Sequence, residues 1–164
     1  MKRVGFLTDR ATYVHDKFLQ IAQRAAEQYR IEGHYAEVEK TEDLQTAIAR
    51  LAKQNIQGLV VFPSAVLVGE RLTIVKLALF HRWPLVTGPQ VFADEGGLVS
   101  YGPNIRHFSA SRDLRRQILK GAKPGDLPIE QPMTFDLAVN LKTAKALGLT
   151  MPPEIMVRAT RVIE

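Results

Sequence analysis

The stretch GLVVFPS, residues 58–64, decides the fold because a continuous apolar run ends there in a sharp break. The run from Gly58 to Phe62 shows no alternation of apolar and polar residues, which predicts a strand that is buried on both faces. Pro63 ends the run, and Ser64 is placed to cap a helix that reaches about Arg82. Such strands are typical of parallel sheets that carry helices on both faces.

The same alternation of strand and helix extends outward from this stretch. The other predicted strands before residue 88 are 4–7, 34–39 and 85–87. Helical spacing predicts one helix over 14–29 and another that Thr41 caps. The apolar faces expected on them are Phe18, Ile21, Ala22, Ala25 and Tyr29, and Leu44, Ala47, Ile48 and Leu51. Strands that alternate with helices predict right-handed crossovers, so the expected fold class is α/β with a doubly wound parallel sheet.

The composition is that of an ordinary globular chain and excludes several kinds of site. The 164 residues carry a formal net charge of +5 and no cysteine, which excludes disulfides, thiolate catalysis and cysteine-based metal sites. The densest basic stretch, 112–123, keeps apolar residues at helical spacing. We therefore interpret its charge as the solvated face of a helix and expect no nucleic-acid partner.

No catalytic, metal or cofactor site is predicted. The chain has neither a dinucleotide-binding glycine motif after a strand nor a phosphate-binding loop. The four histidines lack the spacing of zinc ligands, and each is more often a surface residue. Ser64 has no identifiable base beside it, so a helix cap is the better interpretation. The prediction that remains is binding without catalysis.

The loops that follow the strands are the expected place for a ligand, because parallel sheets bind ligands beyond the carboxyl ends of their strands. These loops are 8–13, 63–66 and 88–92, and they are rich in side chains that form hydrogen bonds. Thr8, Asp9 and Ser64 are explained equally well as ordinary turn and cap residues, and that alternative stays open.

After residue 88 the regular alternation changes. The sequence predicts a strand over 98–101, a basic helix over 109–120, a proline-rich linker over 122–132 and a strand over 135–139. Asn140 is expected to cap a helix that Gly148 ends, and Pro152 and Pro153 to open a last helix.

The stretch GGLVSYGPN, residues 96–104, together with 118–153, resembles a known family. Gly96–Pro103, Ile118–Pro128 and Asn140–Gly148 are similar to the signature of the ABC transporter substrate-binding proteins with the type I periplasmic-binding-protein fold. Some members of that family bind tryptophan or other aromatic amino acids. The resemblance implies a Rossmann-like lobe, and it implies that the first of two lobes is largely missing from this chain.

The resemblance also implies a division of the chain into three segments. Residues 1–97 would form the ligand-binding lobe, 98–132 a hinge strand with a cross-lobe helix and linker, and 133–164 a return to the lobe. The hinge residues would be Gly96, Gly97, Gly102 and Pro103.

The ligand implied by the family is a small polar or aromatic amino-acid-like molecule. Its polar contacts would come from Thr8, Asp9, Ser64, Ala65 and Gln90, with Ser100 and Tyr101 forming the hinge-side wall. Whether Tyr101 stacks on a planar ligand or packs in the hinge stays open, since aromatic residues serve both roles. The implied macromolecular partner is an ABC permease.

Two further expectations concern assembly and location. Without a first lobe, the apolar residues Leu114, Ile118 and Leu119 lose their usual partner, which predicts a symmetric or domain-swapped homodimer through 104–132. The location is periplasmic if the chain is a fragment of an exported protein, and cytoplasmic if Met1 is the true start. In the second case, the alternative function is a free-standing ligand-sensing or protein-interaction domain of the same fold.

Overall fold

The computed structural model describes residues 2–12, 14–103, 116–123 and 134–164. Within these ranges the strands are β1 Arg3–Asp9, β2 Glu32–Val38, β3 Leu59–Val61, β4 Leu85–Thr87, β5 Val99–Pro103, β6 Phe135–Asn140 and β7 Arg161–Ile163. The helices are α1 His15–Gln28, α2 Asp43–Lys53, α3 Ala65–Gly69, α4 Arg71–Phe80, α5 Val91–Asp94, α6 Leu141–Leu147 and α7 Pro153–Arg158. Residues 116–119 are also helical.

A single sheet joins the seven strands in the order β2-β1-β3-β4-β5-β6-β7. Strands β1 to β5 are parallel to one another, whereas β6 runs antiparallel to β5 and β7 runs parallel to β6. The doubly wound α/β prediction is confirmed. The reversed direction of β6 and the existence of β7 were missed, because local periodicity does not report strand direction.

The main core lies on the face of the sheet that α2 and α4 cover. Leu7, Val61 and Leu85 are at most 2% exposed there, and Phe92 of α5 is fully buried in the same cluster. The predicted apolar face of α2 is confirmed, since all four of its residues are buried. This core holds β1, β3 and β4 in register and therefore aligns the ends of these strands.

A smaller core lies on the opposite face, under α1. Phe6 stacks on Tyr35 with ring centroids 5.1 Å apart, and Phe18 of α1 stacks on Phe62 at 5.0 Å. The predicted face of α1 is partly wrong, because Ile21 is 51% exposed. Tyr29 of the predicted face is also 70% exposed, whereas Ala22 is buried as predicted, together with Ala26, which was not predicted. Small side chains at the buried positions allow α1 to approach the sheet closely.

Several predicted boundaries differ in the structure. Thr8 and Asp9 belong to β1 and not to the loop after it. Thr41 does not cap α2; instead the Asp43 carboxylate accepts hydrogen bonds from the backbone N–H groups of Glu39 and Lys40. The helix expected from Ser64 is divided into α3 and α4 around Glu70.

Residues 134–164 form what we call the return segment, and its predicted helix ends are confirmed. The Asn140 side chain accepts a hydrogen bond from the backbone N–H of Thr143 at 2.9 Å, which caps α6. Gly148 ends the helix in the left-handed conformation with φ of 72°. The predicted basic helix 109–120 and the linker 122–132 lie largely outside the described residues. Among the helices that the structure describes, none combines the length and apolarity required to cross a membrane.

Candidate functional site

The parallel strands bring their ends together at one border of the sheet. Strands β1, β3, β4 and β5 all run in the same direction, so their carboxyl ends and the loops that follow them lie side by side. We call this border the carboxyl edge. It is where doubly wound sheets bind their ligands. The polar residues predicted from separate loops are thereby placed along one edge.

An apolar cavity of about 360 Å³ opens at the carboxyl edge. The described residues that line it follow β3 and β4, end β5, or belong to α3 and α5: Pro63, Val68, Gly88, Pro89, Gln90, Val91 and Pro103. Its volume falls at the lower end of the range that is usual for small-molecule sites. The cavity suits an apolar or aromatic group, because its wall is almost wholly hydrocarbon.

Gln90 is the one polar side chain among the described residues that line the apolar cavity. Its amide Nε2 donates a hydrogen bond of 2.7 Å to Oδ2 of Asp136 on β6. Sequence reasoning predicted Gln90 as a ligand contact but missed Asp136. No local signal marks Asp136, since 46 residues separate the two and only the folded sheet brings them together.

Two other predicted polar residues, at the end of β1 and after β3, form hydrogen bonds with backbone N–H groups. Asp9 is 7% exposed, and its Oδ1 accepts a hydrogen bond of 2.9 Å from the backbone N–H of Ala11. Ser64 caps α3, since its Oγ accepts from the N–H of Leu67 at 3.0 Å. The cap prediction for Ser64 is confirmed. Its hydroxyl hydrogen remains available to donate, because a hydroxyl carries both donor and acceptor capacity. Ala65 follows at the exposed first position of α3.

Three hydroxyl groups lie just beneath the carboxyl edge. The Oγ atoms of Thr8, Thr87 and Ser100 are buried, and none has a hydrogen-bond partner within the described part of the chain. Thr87 and Ser100 are register partners on β4 and β5. Thr8 and Ser100 are 1% and 0% exposed, so these two predicted contacts lie below the surface of the edge and not on it.

Tyr101 is placed differently from its neighbour Ser100. Its side chain is 54% exposed, and its ring stacks on Phe135 of β6 with centroids 5.6 Å apart. Successive residues of a strand point to opposite faces of the sheet, so Tyr101 and Ser100 do not share a face. The stack on Phe135 accounts for Tyr101 as a packing residue between β5 and β6.

The four predicted hinge residues occupy two opposite ends of β5. Gly96, with φ of 113°, and Gly97 lie in the turn that enters β5, away from the carboxyl edge. Gly102 and Pro103 lie at the carboxyl edge, where a Cβ on Gly102 would overlap the carbonyl oxygen of Gly88. Gly102 is therefore required for the close approach of β5 to the loop after β4.

A second, polar cavity of about 510 Å³ lies beside the loop after β1. Its lining is Arg10, Ala11, Thr12, His15, Asp16, Leu19 and Glu37. His15 is 8% exposed, which corrects the expectation of a surface histidine, and its Nε2 lies 3.5 Å from Oε1 of Glu37. Arg10 pairs with Glu39 at 3.3 Å. Across the described ranges, no cluster of three or more His, Cys, Asp or Glu side chains could hold a metal ion.

The return segment holds the connection between β4 and β5 at four points. Besides the Gln90–Asp136 bond, Asn140 donates from Nδ2 to the carbonyl oxygen of Ala93 at 2.9 Å. The Thr143 hydroxyl donates to the carbonyl oxygen of Gly96 at 2.9 Å, and Arg161 pairs with Asp94 at 2.7 Å. The loop that lines the apolar cavity is therefore fixed by a part of the chain that is distant in sequence.

Comparisons with known proteins agree with this architecture. A family model described as "ABC transporter substrate binding protein" matches residues 1–163, so the chain belongs to that family. A search of curated proteins finds no match.

Solved structures show the same fold at low sequence identity. A conserved domain protein from Vibrio cholerae matches with a TM-score of 0.86 and 20% identity over 98% of this chain. An ABC domain in complex with L-Trp from Streptococcus pneumonia matches with a TM-score of 0.86 and 22% identity over 99% of the chain. A ligand-free, open substrate-binding protein with adhesive properties from Clostridium difficile matches with a TM-score of 0.70 and 18% identity over 99%. The chain spans about half the length of these structures, 54%, 55% and 54% respectively.

Proposed function

From its membership of the ABC transporter substrate-binding protein family, we propose that this chain forms a ligand-binding lobe of the solute-binding component of an ABC importer. The ligand is a small molecule with an apolar or aromatic part, such as an aromatic amino acid. The observation that carries this proposal is the apolar cavity of about 360 Å³ at the carboxyl edge. Burial of an aromatic group there would supply most of the binding free energy, because apolar burial is worth about 25 cal/mol per Å².

The polar part of the ligand is placed along the carboxyl edge beside the cavity. Gln90 and the Ser64 hydroxyl are the predicted contacts that combine partial exposure with free hydrogen-bonding capacity. Asp9 would act mainly by holding the loop after β1 through its bond to Ala11, whereas Thr8 is buried below the edge. Ser100 would act from beneath the edge, and Ala65 and Tyr101 would border it. The L-Trp held by the Streptococcus pneumonia protein supports an aromatic amino acid as the ligand class.

In the proposed role the lobe closes on a second lobe around the ligand and delivers it to an ABC permease outside the cytoplasmic membrane. Gly102 and Pro103 are the proposed hinge, because they lie where β5 reaches the carboxyl edge. The role requires binding and release of the ligand and no catalytic step. One lobe alone forms only part of the surface that contacts the ligand. We therefore expect this chain to bind an aromatic amino acid weakly, and we expect the ligand to change its melting temperature little.

Assembly is a separate part of the proposal. Ile118 and Leu119, in the helical residues 116–119, are 43% and 87% exposed. Exposed aliphatic side chains at adjacent positions support the proposal that another molecule covers this surface. We propose that this molecule is a second copy of the chain. The rest of the proposed dimer segment, 104–115 and 124–132, lies outside the described residues.

Nuclear magnetic resonance titration of the ¹⁵N-labelled chain with L-Trp tests the ligand proposal, because the method detects millimolar binding of about 4 kcal/mol. Shifts are expected in the loops that line the apolar cavity, with the largest at residues 63–68 and 88–91. The Val91→Asp variant should abolish them, since it places a charge in the cavity wall, whereas the matched Leu72→Asp variant, at an exposed position of α4, should not. Shifts confined to other surfaces, or a nanomolar affinity for the chain alone, would contradict the proposal.

A further inference from the structure

We infer that Gln90 selects ligands that carry an N–H or O–H donor on their apolar part, and that Asp136 is the positioning residue that gives Gln90 this ability. The inference rests on the proposed function, because it concerns the ligand of the same apolar cavity. It goes further by naming the chemical feature that the cavity recognises: a planar or apolar group with a single hydrogen-bond donor.

The contact with Asp136 decides which way the Gln90 amide faces. An ionised carboxylate has only acceptor sites, so the donor that approaches it has to be the –NH₂ end of the amide. The 2.7 Å bond joins Nε2 of Gln90 to Oδ2 of Asp136 in this sense. The two ends of an amide are often indistinguishable by shape alone, but here the acidic partner removes the ambiguity.

The carbonyl end of the amide is consequently left as an acceptor. Oε1 of Gln90 accepts no hydrogen bond from any of the described residues. The Gln90 side chain lines the apolar cavity, and the other described lining residues present no side-chain donor or acceptor. Gln90 therefore supplies the one polar side chain among the described lining residues, and the inference takes its carbonyl end, the end that Asp136 does not hold, as the acceptor for the ligand.

An acceptor in apolar surroundings disfavours ligands that leave it without a hydrogen-bond partner. A ligand that fills the cavity without a donor removes water from Oε1 and forms no hydrogen bond in its place, which costs binding free energy. When a site hydrogen-bonds an N–H or O–H group of its ligand, an analogue that lacks this group loses much affinity. The loss is larger than the one an apolar pocket imposes on a ligand of slightly different size. Since Gln90 is only partly buried, we expect a preference of about two- to tenfold.

Asp136 contributes without touching the ligand. It lies on β6, directly opposite Gly102 of β5 in the antiparallel register. Its removal frees the amide of Gln90 to rotate and to offer either end to the cavity. The expected result is a loss of preference between donor and non-donor ligands with little change in the affinity for a non-donor ligand.

The test compares indole with benzofuran, which has nearly the same shape but carries an oxygen acceptor where indole carries an N–H donor. Both are titrated into the ¹⁵N-labelled full chain, and dissociation constants are read from the shifts of residues around the apolar cavity. The wild-type chain should bind indole about two- to tenfold more tightly. Gln90→Met, which keeps the length of the side chain, and Asp136→Ala should both bring the ratio close to one. Gln23→Met, at an exposed position of α1, is the matched control and should leave the ratio unchanged.

The outcomes separate this inference from the proposed function. Equal binding of indole and benzofuran by the wild-type chain overturns the inference and leaves the apolar cavity as the ligand site. Absence of shifts at the cavity with either compound removes the proposed site and the inference with it. The wild-type comparison needs no variant, so the test holds even if Gln90→Met or Asp136→Ala fails to fold.

Discussion

The side-chain amide of Gln90, in the connection between β4 and α5, donates a 2.7 Å hydrogen bond to the carboxylate of Asp136 on β6. This bond joins the loop that lines the apolar cavity to the return segment. Strand β6 pairs with β5 along its length, and both strands reach the carboxyl edge. A ligand that contacts Gln90 would therefore act on a residue that β6 of the return segment holds directly.

Asn140 provides a stability test of the contact between the return segment and α5. Its Oδ1 caps α6, its Nδ2 donates to the carbonyl oxygen of Ala93, and it is 4% exposed. Asn140→Asp keeps the cap but places a carboxylate oxygen against a carbonyl oxygen, so we expect the free energy of unfolding to fall by about 2 kcal/mol or more. Urea unfolding measures this value. The same change at exposed Asn55, where φ is 52°, should alter stability by less than about 0.5 kcal/mol; equal effects at both positions would contradict the role of Asn140.

Gly102 is expected to tolerate no side chain. A Cβ there would overlap the carbonyl oxygen of Gly88, and backbone atoms on both sides leave little freedom to move apart. We expect Gly102→Ala to destabilise the chain by about 1–3 kcal/mol, the usual cost of overpacking. Thermal and urea unfolding give the measurement.

Gly69 is the matched control for that substitution. It ends α3, and an added Cβ would meet no atom within 4 Å. Gly69→Ala should be neutral or should stabilise the chain by up to about 1 kcal/mol, because alanine loses less backbone entropy on folding. A Gly102→Ala protein as stable as Gly69→Ala would show that β5 does not approach the loop after β4 as closely as the structure has it.

Tyr35 is expected to make the stability of the chain depend on alkaline pH. Burial, with a smaller contribution from the charge of Glu27, raises the pKa of Tyr35 above its ordinary value of 10.0. The folded state therefore keeps this proton at a pH where the unfolded state has released it. Because Tyr35 ionises more readily in the unfolded state, the free energy of unfolding falls as pH rises above about 10.

Ultraviolet absorbance titration of the folded chain should show a tyrosine ionisation step above pH 10, and Tyr35→Phe should remove that step. The same variant should also show a smaller loss of stability between neutral and strongly alkaline pH. A titration in which Tyr35→Phe removes an ordinary early step would refute the assignment.

Leu119 tests the proposed dimer surface. It is 87% exposed beside Ile118, so a charged residue there should disrupt association without affecting the folded core. Light scattering should give a dimer for the wild-type chain at micromolar concentrations and a monomer for Leu119→Glu. Val157 of α7 is also 87% exposed, and Val157→Glu should leave the dimer intact. A wild-type chain that stays monomeric across this range would rule out the proposed assembly.

Much of the local structure was predictable, because it depends on residues that are close together in the chain. The four buried residues of α2 follow helical spacing, and the caps at Ser64 and Asn140 bond to N–H groups three residues later. The proposed placement of a ligand site at the carboxyl edge also rests on the alternation of strands and helices. The predicted contacts themselves stay predictions.

The errors have a common origin in interactions that compete with a local preference. Ile21 satisfies the helical period of α1 but is 51% exposed, whereas Ala22 and Ala26 are buried and Phe18 stacks on Phe62 of the sheet. Thr41 is a good cap residue, but Asp43 bonds two backbone N–H groups of the preceding turn and starts the helix later. In both cases a competing interaction was stronger than the local preference.

The sequence by itself determined the α/β class, the succession of the first four strands along the chain, the caps at Ser64 and Asn140, and the family, since apolar periodicity and local hydrogen bonding are properties of short stretches. Only the tertiary structure decided the antiparallel pairing of β6, the apolar cavity and the fixed orientation of Gln90. The physical reason is that each of these depends on strand register and side-chain packing between segments that are distant in sequence, as the 46 residues between Gln90 and Asp136 illustrate. Local periodicity carries no information about which distant strand becomes the neighbour.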